Sequence, residues 1–228
     1  MYNALVFLVD IIPGGNIGIA VIILTVLVKF ILFPLSQKSV STQARMREIE
    51  PELKKIKEKH KDNQQEQARQ TMEIYKKHGI NPFSGCLLLL IQLPVIFALY
   101  FVFLKGFVFD PKLLYSFVSL PVNIDILFFG IDLAKKSLFL AVLAGVTQYA
   151  QLALSIPPVK PLDPNAKLSF QEEFSRNMST QMKYIFPFLV FFISYSLSSA
   201  LALYWVVSNL FAVGQELHVR KTAKIKIS

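Results

Sequence analysis

Cysteine and histidine are scarce in this chain, which limits the chemistry that it can perform. The 228 residues include one Cys and three His. One Cys excludes an internal disulfide, and so few thiols and imidazoles exclude a Cys-rich zinc or iron–sulfur site. The sequence also lacks the HExxH pattern of zinc hydrolases and the GxxxxGKS/T pattern of phosphate-binding loops. We therefore expect no metal, no cofactor and no enzymatic activity.

Apolar residues, in contrast, are abundant. They make up 54 % of the chain and include 20 Phe, and the mean hydropathy is +0.48. Three stretches, 17–36, 83–104 and 137–156, have the roughly 20 apolar residues that an upright membrane helix needs. A fourth region, 184–214, is too long for one such helix and has the serine-containing run SYSLSSA in its middle. These features predict an all-α membrane protein.

The distribution of basic residues decides how the fourth region is interpreted. If it holds two helices with a tight turn, segments 37–82, 157–183 and 216–228 lie on one side of the membrane and carry 19 of the 24 Lys and Arg. This bias obeys the positive-inside rule, whereas a single helix would place the basic C-terminal tail outside. We therefore predict five transmembrane helices, with the N-terminus out and the C-terminus in.

This topology divides the chain into ten segments. The predicted transmembrane helices are 17–36, 83–104, 137–156, 184–197 and 198–215. The predicted connecting segments are an outer interfacial helix (1–16), a cytoplasmic coiled-coil hairpin (37–82), an outer segment (105–136), a cytoplasmic loop (157–183) and a basic cytoplasmic tail (216–228). Residues 1–16 lack the basic start of a secretory signal, and we expect them in the mature protein.

The polar segment 37–82 has the apolar periodicity of a coiled coil, which predicts an antiparallel helical hairpin. The predicted seam consists of Met46, Ile49, Leu53, Ile56, Met72 and Tyr75. Residues Lys61-Asp62-Asn63 are a plausible turn between the two arms. Pro51 either kinks the first arm or begins its regular part. The alternative is a solvated, charged loop.

Lys29 is a charged residue within the apolar run TVLVKFILFPL at 25–35. A charge near the centre of an isolated membrane helix costs about 2.5–3.5 kcal/mol, so Lys29 should face protein or water. Alternatively, its long side chain reaches the membrane surface. Thr25 lies one turn earlier on the same face, which favours a polar stripe. The predicted spans contain no Asp, Glu or His, and this excludes an intramembrane proton relay.

Other predicted spans also carry polar residues, some on neighbouring turns. These residues are Gln92, Thr147, Gln148, Gln151, Ser155, Trp205, Ser208 and Asn209. Individually, such side chains usually form hydrogen bonds between membrane helices. Together with Lys29, they could instead line one hydrated cavity.

Four stretches of the sequence resemble one known family. They are TVLVKFILFPL (25–35), YKKHGINPFSGCLLLLIQLPVIFALY (75–100), GVTQYAQ (145–151) and LALYWVVSNLFAVGQE (201–216). Their order, and their spacing around a charged hairpin, resemble the YidC membrane-protein insertases of bacteria and their mitochondrial and chloroplast relatives. The chain departs from the family pattern at Lys29, where Arg is usual, and at Leu88, where Pro is usual.

The resemblance implies a five-helix core with a positively charged groove that is open to the cytoplasm and to lipid. Lys29 matches the basic residue of that groove, and Thr25, Gln148 and Trp205 match groove-lining positions. We add Gln151 and Ser208 as polar neighbours in the same helices. The implied function is membrane-protein insertase or chaperone in the bacterial plasma (inner) membrane, without nucleotide hydrolysis. The implied partners are nascent membrane proteins and the lipid bilayer, with the ribosome and the general secretion channel as further candidates.

Two questions remain open at this point. The tail residues Arg220, Lys221, Lys224 and Lys226 suit either ribosomal RNA phosphates or anionic lipid headgroups. The alternative functions are an anion-selective channel or transporter that uses Lys29, and a scaffold whose hairpin binds a soluble partner.

Overall fold

The computed structural model describes residues 1–60, 63–81, 84–104, 106–156 and 170–225, and most of the side chains within them. These residues are predominantly helical. Two helical stretches, Leu138–Ser155 and Ser199–Lys221, are long and apolar enough to cross a membrane, and a bent pair at residues 17–42 makes up to three. The described part of the chain is therefore a helical protein with two to three candidate membrane spans.

The first apolar stretch forms a shorter helix than expected. Helix α1 (Tyr2–Ile11) precedes α2 (Ile17–Ile31). Asn16 caps the start of α2, because its side chain accepts a hydrogen bond from the Ile19 amide at 3.1 Å. We expected this helix to continue to residue 36. Instead, the chain bends by 62° between α2 and α3 (Phe33–Glu48). Pro34 at the second position of α3 explains the bend, since proline is tolerated in a first helical turn but disrupts a helix interior.

The polar segment continues from this bend as α3, α4 (Glu50–Lys59) and α5 (Gln64–Lys77). Pro51 lies in the first turn of α4, which begins at Glu50. The Asn63 side chain caps α5 by accepting from the Glu66 amide at 3.1 Å. His78, after α5, lies 3.4 Å from Glu52, near the start of α4. The two arms are therefore antiparallel, and Lys61 and Asp62 of the predicted turn lie outside the described residues.

Four further helices complete the bundle: α6 (Ser84–Leu104), α7 (Leu138–Ser155), α8 (Phe170–Ser196) and α9 (Ser199–Ile225). Helix α9 lies at the centre and contacts α2, α3, α6, α7 and α8. Gly145 allows α7 to approach α8 closely, because a side chain there would touch Phe191 and the Pro187 carbonyl. Helices α8 and α9 are both longer than predicted, and α9 continues through most of the predicted tail.

The segment between α6 and α7 contains a 3-10 turn (Pro111–Leu113) and a small antiparallel hairpin of β1 (Leu127–Phe128) and β2 (Ile131–Asp132). The sequence shows no pattern for these two-residue strands. The segment is tied to the break between α8 and α9, because Ser199 donates from its amide to the Lys135 carbonyl at 2.8 Å and from its hydroxyl to the Asp132 carbonyl at 2.9 Å.

Helix α1 packs under the same segment through buried Leu5, Val6, Leu8 and Val9. Gly15, after α1, has a positive φ of 64°, and any side chain there would overlap the Asn123 backbone. Glycine therefore permits both the turn into α2 and its close approach to the segment.

Candidate functional site

Lys29 lies in the last turn of α2, next to polar side chains from two other helices. Its ammonium donates to Oε1 of Gln92 on α6 at 3.3 Å. The Gln92 amide in turn donates to the hydroxyl of Tyr204 on α9, which also bonds to Ser208. Lys29, Gln92, Tyr204 and Ser208 therefore form one hydrogen-bonded group, which we call the lysine cluster.

The charge balance of the lysine cluster is its main chemical property. Gln92, Tyr204 and Ser208 are neutral, and among the described residues no carboxylate lies within ion-pair distance of Lys29. A membrane-embedded cation usually has a partner, and neutral partners leave its charge uncompensated. The lysine cluster is therefore suited to attract an anionic group.

Thr25 and Trp205, two predicted site residues, lie close in sequence to members of the lysine cluster but contact other groups. Thr25 is buried, and its hydroxyl donates to the Val21 carbonyl of its own helix at 2.6 Å. Trp205 is half-buried and packs against two clusters of buried apolar side chains. Among the described hydrogen bonds, neither residue therefore joins the lysine cluster.

The predicted site residues of α7 belong to a second hydrogen-bonded group. Gln148 donates to Gln151 at 3.0 Å, and Gln151 donates to the hydroxyl of Ser155 at 3.2 Å. The Ser155 hydroxyl donates to the carboxylate of Glu216 on α9. We call Gln148, Gln151, Ser155 and Glu216 the glutamine row. Helix α9 contributes to both groups, with Ser208 in the lysine cluster and Glu216 in the glutamine row.

Comparison with known proteins shows which protein family the chain resembles. Residues 7–226 match the model of the family described as "60Kd inner membrane protein". This chain belongs to that family. A Clostridium tetani protein named membrane protein insertase YidC is 36 % identical over 209 residues, which cover 92 % of this chain and 84 % of the relative. A Fusobacterium nucleatum protein of the same name is 34 % identical, with 91 % of this chain and 87 % of the relative covered.

The same name is carried by a longer protein of Wolinella succinogenes. It is 33 % identical over 213 residues, which cover 93 % of this chain but 35 % of the relative. The resemblance seen in the sequence motifs to the YidC insertases is thus confirmed along almost the whole chain.

Within this family member, the hairpin seam is only partly buried. Ile49 is 4 % exposed, whereas Met72 is 45 % exposed. Met46, Leu53, Ile56 and Tyr75 are half-buried. Burial raises the pKa of Tyr75. The sequence pattern did not identify Gln67, which is buried at 6 % exposure, because a polar residue does not register in an apolar repeat.

The basic tail of this family member is a continuation of α9. Arg220 donates to the Glu216 carboxylate at 2.6 Å and to the Leu154 carbonyl of α7. It is thus engaged within the protein, and its contact with a ribosome or a lipid stays a prediction. Lys221 is exposed, whereas Lys226 and the side chain of Lys224 lie outside the described residues.

Sequence reasoning missed Tyr204 and Glu216. Tyr204 is 1 % exposed and was not among the predicted site residues. Glu216 is 5 % exposed, yet we assigned it to the basic cytoplasmic tail (216–228). The sequence did contain an indication that Glu216 belongs to the helix. Asn209 and Glu216 are seven positions apart, a spacing that places two residues on the same face of a helix.

Proposed function

We propose that this chain is a membrane-protein insertase that passes nascent transmembrane segments into the lipid bilayer. The observation that carries the proposal is the uncompensated Lys29 ammonium, held by the neutral side chain of Gln92 between apolar helices. Family membership supports the same function, since curated relatives are named membrane protein insertase YidC.

The energetic obstacle to insertion explains why such a cation is useful. A polar or charged group that enters the hydrocarbon layer without a partner costs several kcal/mol. Lys29 offers an acidic N-tail or loop an opposite charge part-way across the membrane. The apolar segment of the client then moves sideways into lipid, driven by its own hydrophobic transfer. This mechanism needs no nucleotide hydrolysis and no enzymatic chemistry.

Gln92 and Tyr204 have a positioning role in this mechanism. Gln92 accepts from Lys29 and donates to Tyr204, which links the lysine to the central helix α9. Lysine has a long side chain with large rotamer freedom, so a fixed acceptor limits where the charge lies. Thr25, Gln148, Gln151, Trp205 and Ser208 complete the polar and aromatic lining of the proposed groove.

The proposed topology has five transmembrane helices, with the N-terminus out and the C-terminus in. Three of the five crossings are the candidate spans described above, which are the bent pair at 17–42, α7 and α9. In the proposed topology, α6 and the apolar C-terminal part of α8 supply the other two. The positive-inside bias supports this orientation. We place the protein in the bacterial plasma membrane, with the hairpin 37–82 in the cytoplasm where it receives clients. The ribosome and the general secretion channel are proposed as additional partners.

The decisive experiment measures insertion into liposomes that contain the purified protein. The client is a single-span protein with an acidic N-tail, and the readout is protection of that tail from added protease. We expect Lys29→Ala to lower protection by about tenfold, as the loss of an interaction with a charged group worth about 1.5 kcal/mol requires. Lys29→Arg should restore it because the charge is retained.

Lys112→Ala is the matched control, since it removes an exposed lysine from the 3-10 turn Pro111–Leu113. If liposomes that contain the wild-type protein protect the tail no better than empty liposomes, the insertase proposal is overturned. If the wild-type protein and Lys29→Ala protect the client's tail equally, the Lys29 charge has no role in insertion. Flux of chloride that depends on Lys29 in the same liposomes, without protection of the tail, would favour the anion channel instead.

A further inference from the structure

A cavity of about 410 Å³ lies at the opposite end of the bundle from the hairpin. It is partly open and is formed where α6 ends, where α8 passes into α9 and where the chain approaches α7. Its lining includes Tyr100 and Leu104 of α6, Lys135 and Lys136 before α7, and Ser196 and Ser198 at the α8–α9 break. Its volume is within the range of roughly 300–1,000 Å³ that is typical of small-molecule sites.

The two lysines give the cavity a positive charge. Lys135 forms an ion pair with Asp132 at 3.2 Å, and its side chain remains 80 % exposed. Lys136 is exposed, and within the described ranges no carboxylate is close enough to pair with it. The cavity therefore has one compensated and one uncompensated cation, a combination that suits a single negative charge.

Two apolar stripes lead from the cavity along the helices. On α6, Phe97, Phe101 and Leu104 are exposed at 56 %, 63 % and 63 %, and Leu104 itself lines the cavity. On α8, Phe188 and Phe192 are exposed at 67 % and 60 %. Ser196, one turn after Phe192, also lines the cavity. Because residues three to four positions apart share a helix face, each stripe ends at the cavity.

From these observations, we propose that the cavity binds the phosphate of one anionic phospholipid, with the acyl chains lying along the stripes of α6 and α8. The cationic end lies where α6 and α8 end, which is the level of the lipid headgroups. The apolar stripes continue into the hydrocarbon layer, as acyl chains do. A soluble phosphate would use the lysines but leave the stripes without an occupant. The proposal is independent of the insertase function, since it concerns the protein without a client.

The test uses the full-length protein in detergent, titrated with phosphatidylglycerol or phosphatidylcholine in separate experiments, with bound lipid counted by native mass spectrometry. We expect one phosphatidylglycerol to bind more tightly than any phosphatidylcholine. Lys136→Ala should weaken this binding by about fivefold, the usual effect of one basic residue near an anionic lipid surface. Lys136→Arg should retain the binding, and Lys112→Ala, which removes a lysine that does not line the cavity, should leave it unchanged.

A second variant tests the cavity without changing its charge. Ser198→Phe places a ring in the space that the headgroup would occupy and should also lower phosphatidylglycerol binding. Equal binding of the two lipids, or equal losses with Lys136→Ala and Lys112→Ala, would overturn the proposal. Displacement of the lipid by glycerol 3-phosphate at similar concentration would mean that the site recognises a free phosphate and that the stripes contribute nothing. If only an acidic peptide tail binds, the site belongs to the client and not to a lipid.

Discussion

Helix α9 and the arm α5 of the hairpin use their polar side chains in opposite ways. On α9, Asn209 donates to Thr147, 62 positions away, and Gln215 bonds to Ser36, 179 positions away. On α5, Arg69 binds Glu66, three positions away. These contacts of α9 join different helices, and its internal Arg220–Glu216 pair also reaches α7 through Ser155 and Leu154. The Arg69–Glu66 pair, in contrast, stays within α5.

The difference follows from the availability of water. A polar side chain inside the bundle has few water molecules to bond with, so an unmade hydrogen bond is expensive and the partner must come from another helix. A side chain on the hairpin can exchange its partner for water at little cost. Loss of a partner should therefore destabilise the protein strongly at α9 and weakly at α5.

The largest effect is expected at the pair of Glu216 and Arg220. Glu216→Ala leaves Arg220, whose side chain is 33 % exposed, without its carboxylate. Breaking a fully buried pair costs about 3–5 kcal/mol, and the partial exposure of Arg220 lowers this to about 2–3 kcal/mol. The variant should melt at a clearly lower temperature in detergent.

Two variants sharpen this prediction. Glu216→Ala with Arg220→Ala should recover part of the lost stability, because no uncompensated cation remains. Glu73→Ala, which removes the exposed partner of Arg69 at 3.8 Å, should melt like the wild type. Equal melting temperatures for Glu216→Ala and Glu73→Ala would mean that the loss of a polar partner costs the same on α9 as on α5.

A smaller effect is expected at Gln215. Gln215→Leu removes the hydrogen bonds that connect α9 to the start of α3, but the Ser36 hydroxyl keeps its bond to the Phe33 carbonyl at 3.0 Å. We expect a loss of about 1 kcal/mol, which is typical of a hydrogen bond between membrane helices. Melting in detergent measures it, with Gln70→Leu on α5 as the control. A gain in stability with Gln215→Leu would contradict the prediction.

The smallest effect concerns the charge of Glu66. Hydrogen bonds from Arg69 and Gln70 lower the pKa of Glu66 from 4.5 to about 2. A carboxyl whose pKa is lower in the folded state stabilises that state above its unfolded pKa. The local contribution to α5 is therefore complete above pH 4.5 and is lost as the pH falls towards 2.

Carbon-13 NMR of Glu-labelled, full-length protein follows this titration. One Glu should remain ionised well below pH 4, and Arg69→Ala should return its pKa towards 4.5. Overall melting above pH 5 should hardly change in that variant. If all glutamates titrate together near pH 4.5, the Glu66–Arg69 pair does not persist in solution.

Part of this architecture was predictable from the sequence, and the remainder depended on contacts between distant residues. The charge of Lys29 within an apolar run identified it as a candidate, but its acceptor Gln92 lies 63 positions away. Nothing in a single sequence connects two such positions. The bend at Leu32 and the buried Glu216 had local signals, in Pro34 and in the spacing of polar residues on α9. We missed the bend because apolar length set the end of the first predicted helix, and we missed Glu216 because it was placed in the predicted basic tail.

The bend after α2 has a consequence for the surrounding bilayer. Helix α2 contains 15 residues, a length of about 22 Å at 1.5 Å per residue, whereas the hydrocarbon layer is about 30 Å thick. A hydrophobic segment that is too short is matched when the bilayer thins beside it. In the proposed topology, the bilayer beside α2 should therefore be thinner, which would shorten the distance that a client's polar end travels during the proposed insertion.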